Sequence, residues 1–243
     1  MSMLDSQVQQ SPQAAEAPPR DRLLSFIAWT AVVHLAALAV AGLAPLVSRE
    51  TSVVTAPASA LATVAVATAA WLLMAYPLWP GTLLGGVAPQ GRFWKWFLLR
   101  AAEAASTVLI ALPFWVAAAV FAGEGFARLA EVAAGLSGAA LAAIGYRYVH
   151  VAYGERLRAW AILDVAILVF APLAAGYLLL EFGNIHIGWC WLISPLAVAR
   201  EVALNGLVVQ SAAFLVGLVG YGAVSALALL VLQACVKRFN TSE

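Results

Sequence analysis

Gly81-Thr82-Leu83-Leu84-Gly85-Gly86-Val87-Ala88-Pro89, with Arg92-Phe93-Trp94-Lys95-Trp96-Phe97 behind it, is the stretch around which this chain is organised. It is too rich in Gly and Pro to continue a helix through lipid. It is also too aromatic for a solvated linker. Long apolar segments lie on either side of it. The combination predicts a bend at a membrane surface, joining two spanning helices of a polytopic all-α protein.

Composition points the same way. Hydrophobic residues make up 64% of the 243 and charged residues 10%, against about 25% charged in a soluble domain. One soluble core cannot hide that much apolar surface, so much of the solvent must be lipid. The net charge of +1 leaves no dense basic patch for phosphates and argues against a nucleic-acid partner. The two cysteines, Cys190 and Cys235, fall in segments assigned to opposite sides of the membrane, so a disulfide framework is not expected. No Cys/His spacing reads as a metal site.

Outward from the bend, six stretches reach the roughly 20 apolar residues a helix needs to cross. They lie near 23–47, 57–79, 98–122, 128–151, 159–180 and 207–236. Each must be helical, because lipid offers the backbone no hydrogen-bond partners. Residues 1–21 are polar, with Pro12, Pro18 and Pro19, and read as a disordered tail. Residues 22–238 form the membrane domain and 239–243 a short tail. Lys and Arg set the orientation. With the N-terminus inside, Arg20, Arg22, Arg92, Lys95, Arg100, Arg147, Arg156, Arg158, Lys237 and Arg238 are cytoplasmic. Only Arg49, Arg128 and Arg200 lie outside. Both ends are therefore expected in the cytoplasm of a multi-pass inner-membrane protein.

Polar residues within the spans are few. His34 reads better as a histidine bonded to a neighbouring helix than as a proton or substrate site. Trp71, Tyr76 and Trp79 read as an aromatic belt at the inner interface. Glu103, with Arg100 three residues before it, and Asp164, six residues past Arg158, read as interfacial acids paired with snorkelling bases. Pro113 and Pro172 predict kinks that fit helix packing. Arg128 and Glu131 are one turn apart and predict an interfacial pair. Gly135, Gly138 and Ala142 suit a close helix contact. The run 146–158, with its tyrosines and arginines, reads equally as a lipid anchor or as a contact for a soluble partner.

Ser194-Pro195 predicts the start of a short helix, with serine as cap and proline in the first position. Leu196 to Leu204 covers about 14 Å, too short to cross, and Asn205-Gly206 supplies the stop. Arg200 and Glu201 are tolerable in an outer re-entrant or surface helix that reaches water. No catalytic motif is present: there is no Gly-x-Ser-x-Gly elbow, His-Glu-x-x-His or P-loop. The chain is not expected to be an enzyme by itself, and no cofactor is implied.

With the bend, the topology and the outer helix in hand, the chain resembles the permease subunits of the type-two ATP-binding-cassette (ABC) transporters. That family has six spans, both ends inside, and a cytoplasmic coupling segment between spans two and three. The segment carries Glu-x-Gly-Thr-Leu with a following Pro; this chain has Gly81, Thr82, Leu83 and Pro89. Leu78-Trp79-Pro80 stands where the family has its acid, and Leu84 where a second acid is usual. The family's short outer helix before the last span matches Ser194-Pro195 through Gly206. The resemblance implies a separate cytoplasmic ATPase partner and a second permease copy or homologue. It implies coupling through Gly81, Thr82, Leu83, Pro89, Arg92, Trp94 and Lys95, aided by Arg156 and Arg158. Trp94 and Trp96 would seat that segment at the membrane surface. The substrate pathway would run through the membrane, in the direction of export. A second reading is a non-transporting scaffold or assembly subunit associating through Gly/Ala faces. A third is an intramembrane enzyme using His34, His150, His186 or Cys190.

Overall fold

The computed structural model describes residues 19–47, 56–79, 83, 93–153, 174–175, 178–179, 181–183 and 194–206. Among these residues every regular element is helical and no strand occurs. α1 runs Pro19–Val47, α2 Ala56–Ala70, α3 Phe93–Ala122, α4 Phe126–Tyr153 and α5 Pro195–Asn205. Three segments are long and apolar enough to cross a membrane: Arg20–Leu43, Trp94–Ala122 and Phe126–Arg147. Ala60–Ala75 is a shorter apolar helix. The stretches expected to cross near 159–180 and 207–236 lie largely or wholly outside the described residues.

α1 shows why this is the pattern of a membrane protein. Its buried positions, Phe26, Thr30, His34 and Ala41, form one helical stripe. The opposite face carries Leu24, Ile27, Trp29, Val32, Leu35, Val40 and Leu43, all exposed. A soluble helix would place charge there; a helix apolar all round needs an apolar solvent. α3 repeats the pattern with exposed Leu98, Leu109, Leu112, Val120 and Phe121.

Helix ends differ from the sequence reading in ways the residues explain. α1 begins at Pro19, where proline suits a first turn, so residues 19–21 belong to the helix and not to the expected tail. α3 begins at Phe93; residues 93–97 hold no Gly or Pro, and they form the first turn of the helix, not part of the bend. α2 changes at Trp71 to a π-helical turn through Ala75, closed by Tyr76 N–H to the Trp71 carbonyl at 3.0 Å. The chain then turns sharply at 76–79.

The core divides between the two ends of the bundle. One cluster joins Leu61, Val64 and Ala65 of α2, Val132 and Leu136 of α4, and Val198, Ala199 and Val202 of α5, reaching Trp115 of α3. The other joins Phe26, Leu72, Tyr76, Leu83, Trp96, Ala104, Ala143 and Ile144. The start of α4 thus sits with α5, and its far end with the segment leaving α2. α5 is packed between α2 and α4 with Pro195 to Ala199, Val202 and Ala203 buried. It is a short helix of the interior and not one lying on a surface.

Candidate functional site

The chain leaving α2 exposes backbone groups that no helix satisfies, and charged side chains from two other helices meet them. Arg147, near the end of α4, points its Nη1 at the carbonyls of Tyr76 (3.4 Å), Pro77 (3.1 Å) and Trp79. Its guanidinium carbon lies 5.8 Å from the centre of the Tyr76 ring, within cation–π range. A helix C-terminus has free carbonyls and a partial negative charge, so Arg147 caps α2 from a neighbouring helix. Glu103 of α3 does the complementary work. Its Oε1 accepts the Leu83 backbone N–H at 2.8 Å. Its Oε2 accepts from Arg100 Nη1 at 2.7 Å and from the Tyr76 hydroxyl at 3.2 Å. Tyr76 Oη also lies 3.1 Å from the Arg100 carbonyl.

Arg100, Glu103, Arg147 and Tyr76 are all buried. This corrects the expectation of a snorkelling interfacial pair. Arg100 and Glu103 do pair, but inside the bundle and in service of the bend. Tyr76 is likewise an interior residue and not a belt residue; Phe26 packs edge-on to it and to Trp79, at 6.3 and 5.2 Å. Of the two tryptophans expected to seat the segment at a surface, Trp94 is 72% exposed and Trp96 only 1%. Trp96 belongs to the core around Tyr76. Lys95 is exposed beside Trp94. Gly81, Thr82, Pro89, Arg92, Arg156 and Arg158 lie outside the described residues, as do Asp164, Pro172, His186 and Cys190.

A second polar cluster lies midway along α1. The Nδ1–H of His34 donates to the Thr30 carbonyl at 2.6 Å, since a carbonyl can only accept. His34 Nε2 lies 2.8 Å from the Thr68 hydroxyl oxygen, whose own proton goes to the Val64 carbonyl at 2.9 Å. Trp115 Nε1–H donates to the same hydroxyl at 2.9 Å. Three helices meet on one oxygen, and His34 is the histidine bonded to a neighbouring helix that the sequence favoured. The side chain of His150 is not described.

At the other end of the bundle Arg128 binds Glu131 at 2.9 Å and Glu124 at 3.4 Å. A cavity of about 340 Å³ opens there, lined by these residues with Gly125, Ala127, Asn205 and Gly206. Arg200 pairs with Glu201 at 2.8 Å, and Asn205 Nδ2 donates to Glu201 at 2.8 Å. Pro195 opens the helix as expected, but Ser194 does not close its hydroxyl on the helix amides. Gly206 stops the helix with φ +75° and its N–H on the Val202 carbonyl at 2.9 Å. Gly135 receives Val202 so closely that a Cβ would sit 3.3 Å from it.

Among the described residues no group of His, Cys, Asp and Glu is placed to hold a metal ion. No family model, curated protein or solved structure matches this chain.

The role of Arg147 was missed from sequence, where it reads as one base in a loop. The available signal was its register. Val132, Leu136, Ala139 and Ala143 form the buried stripe of α4, and Arg147 is the next step of four.

Proposed function

We propose that the chain is the membrane-spanning subunit of an ABC transporter, working as an exporter with a separate cytoplasmic ATPase and a second permease copy. On this reading it crosses six times with both ends in the cytoplasm. The bend after α2 receives the push of the ATPase.

One observation carries the proposal: the bend is bonded to two other helices. Glu103 holds Leu83 and Arg147 holds residues 76–79, so displacing the segment must drag α3 and α4. Buried irregular backbone needs partners in any case; because these come from two other helices, a push on the segment is not absorbed by the segment alone. The Lys/Arg bias supports a cytoplasmic position for this end of the bundle. The Gly81-Thr82-Leu83 pattern supports the same assignment.

The test is purification of the tagged chain in mild detergent from its own cells. A nucleotide-binding protein that co-purifies, and is lost when Gly81 and Pro89 are replaced, is the expected result. No such partner, with transport and assembly indifferent to both substitutions, overturns the proposal.

One observation favours the scaffold reading as the alternative. The buried charges of the described bundle, Arg100, Glu103 and Arg147, gather at one end and leave the middle to neutral groups. A scaffold predicts a partner captured through the membrane, with no dependence on ATP.

A further inference from the structure

α4 touches both specialised ends of the bundle. At one end Arg147 grips the backbone of residues 76–79. At the other, Gly135 lets Val202 of α5 approach to 3.3 Å of where its Cβ would be. Close by, the Arg128 guanidinium occupies the space that a side chain on Gly206 would need, 1.9 Å from the ideal Cβ. From Arg128 to Arg147 is nineteen residues, about 28 Å along a helix.

α2 also runs between these ends and packs on α5. Its hydrogen bonding, however, passes into a π turn at Trp71–Ala75, immediately before the bend. A π turn is a local irregularity at which a helix can kink. α4 is helical without interruption from Phe126 to Tyr153. Of these two connections among the described residues, α4 is the one without a break in its helix.

We infer that α4 is a strut coupling the bend after α2 to the short helix α5. Movement of the bend reaches α5 through Arg147, the body of α4, and the Gly135–Val202 and Arg128–Gly206 contacts. Coupling between two sites is reciprocal, so loosening α5 must also loosen the bend. The inference concerns the chain alone. It stands or falls without an ATPase, and finding no ATPase leaves it intact.

Hydrogen–deuterium exchange of the purified full chain in detergent tests it from both directions. Arg147→Met keeps the length of the side chain and removes its charge. It should speed exchange across 195–206 by about 2- to 30-fold, the range expected for coupling through packed elements. Amides of 30–38 in α1 should not change. Gly135→Ala, which crowds Val202, should in turn speed exchange at Trp79 and Leu83. Changes confined to the end that carries each substitution would overturn the strut. If Arg147→Met loosens α1 as well, Arg147→Lys and Gly135→Ala decide. Acceleration everywhere in those two variants also overturns the inference, because α4 would then have no privileged part.

Discussion

Replacing Glu103 by glutamine keeps the shape of a buried side chain and removes the negative charge from the cluster of described residues around Tyr76. Among the described residues the carboxylate accepts hydrogen bonds from Arg100, Tyr76 and the Leu83 N–H. Glutamine has one oxygen and one amide nitrogen. With its oxygen toward Arg100 and Tyr76, its NH₂ meets the Leu83 N–H donor to donor. Turned the other way, it meets the Arg100 guanidinium. Either way a buried cation loses its anion, and breaking a buried pair by removing one partner costs about 3–5 kcal/mol. Tyr76→Phe removes one hydroxyl and leaves the ion pair, so its cost should be about 1.5 kcal/mol. Reversible unfolding in mixed detergent micelles, followed by tryptophan fluorescence, measures both. If Glu103→Gln costs under about 1 kcal/mol, against the 3–5 expected, or if Tyr76→Phe costs more than Glu103→Gln, the bonded cluster is not what holds this end.

Thr68→Val should strip both His34 Nε2 and Trp115 Nε1 of their partner, at about 1–3 kcal/mol for each group left buried; Thr68→Ser keeps the oxygen and should recover most of that stability in the same unfolding assay. Gly206→Ala combines a positive φ with the space taken by Arg128. It should cost about 1–3 kcal/mol for the backbone alone and more for the clash, and adding Arg128→Ala should return only the clash portion. Lys95 at the start of α3 and Asn205 at the end of α5 are exposed at opposite ends of the bundle. In a cysteine-free background, Asn205→Cys should react with an impermeant maleimide added outside intact cells and Lys95→Cys only after lysis. Outside labelling of Lys95→Cys would reverse the orientation.

Apolar spacing made the helices legible, because the apolar runs are long and the lipid argument leaves helices as the only choice. The short helix α5 was legible from Ser194-Pro195 at one end and Asn205-Gly206 at the other. What the sequence could not supply was depth. Arg100 and Glu103 were visible as neighbours three apart, yet a single helix does not say whether that face meets water or another helix. The register held the answer: Trp96, Arg100, Glu103, Thr107, Ala111 and Trp115 form one buried stripe of α3. A stripe that is apolar along most of its length and charged at one end marks charges that go inward with it. What Glu103 holds besides Arg100 was beyond reach, since it is the Tyr76 hydroxyl and the backbone N–H of Leu83 in an irregular stretch. The π turn was equally hidden, for Trp71 to Ala75 carries no residue that sets it apart from an ordinary helix.

Burying three charges in an apolar bundle needs a reason, because swapping a buried ion pair for apolar side chains is often neutral or stabilising. The pair here differs in what else it holds. Glu103 is also the acceptor for the Leu83 N–H, a backbone group in an irregular stretch with no helix of its own. Irregular backbone within such a bundle persists only where the surrounding protein satisfies it. The double variant Arg100→Leu/Glu103→Leu separates the two ideas. If the pair serves only itself, the swap leaves stability unchanged or raises it. If it serves the bend, the Leu83 N–H and the Tyr76 hydroxyl lose an acceptor. The double variant should then fall below wild type by about 1–3 kcal/mol for the backbone group alone, with exchange at Leu83 accelerated more than in the helices that flank it. A double variant as stable as wild type, with the Leu83 amide still protected, would mean that the bend keeps its shape without the charges beneath it.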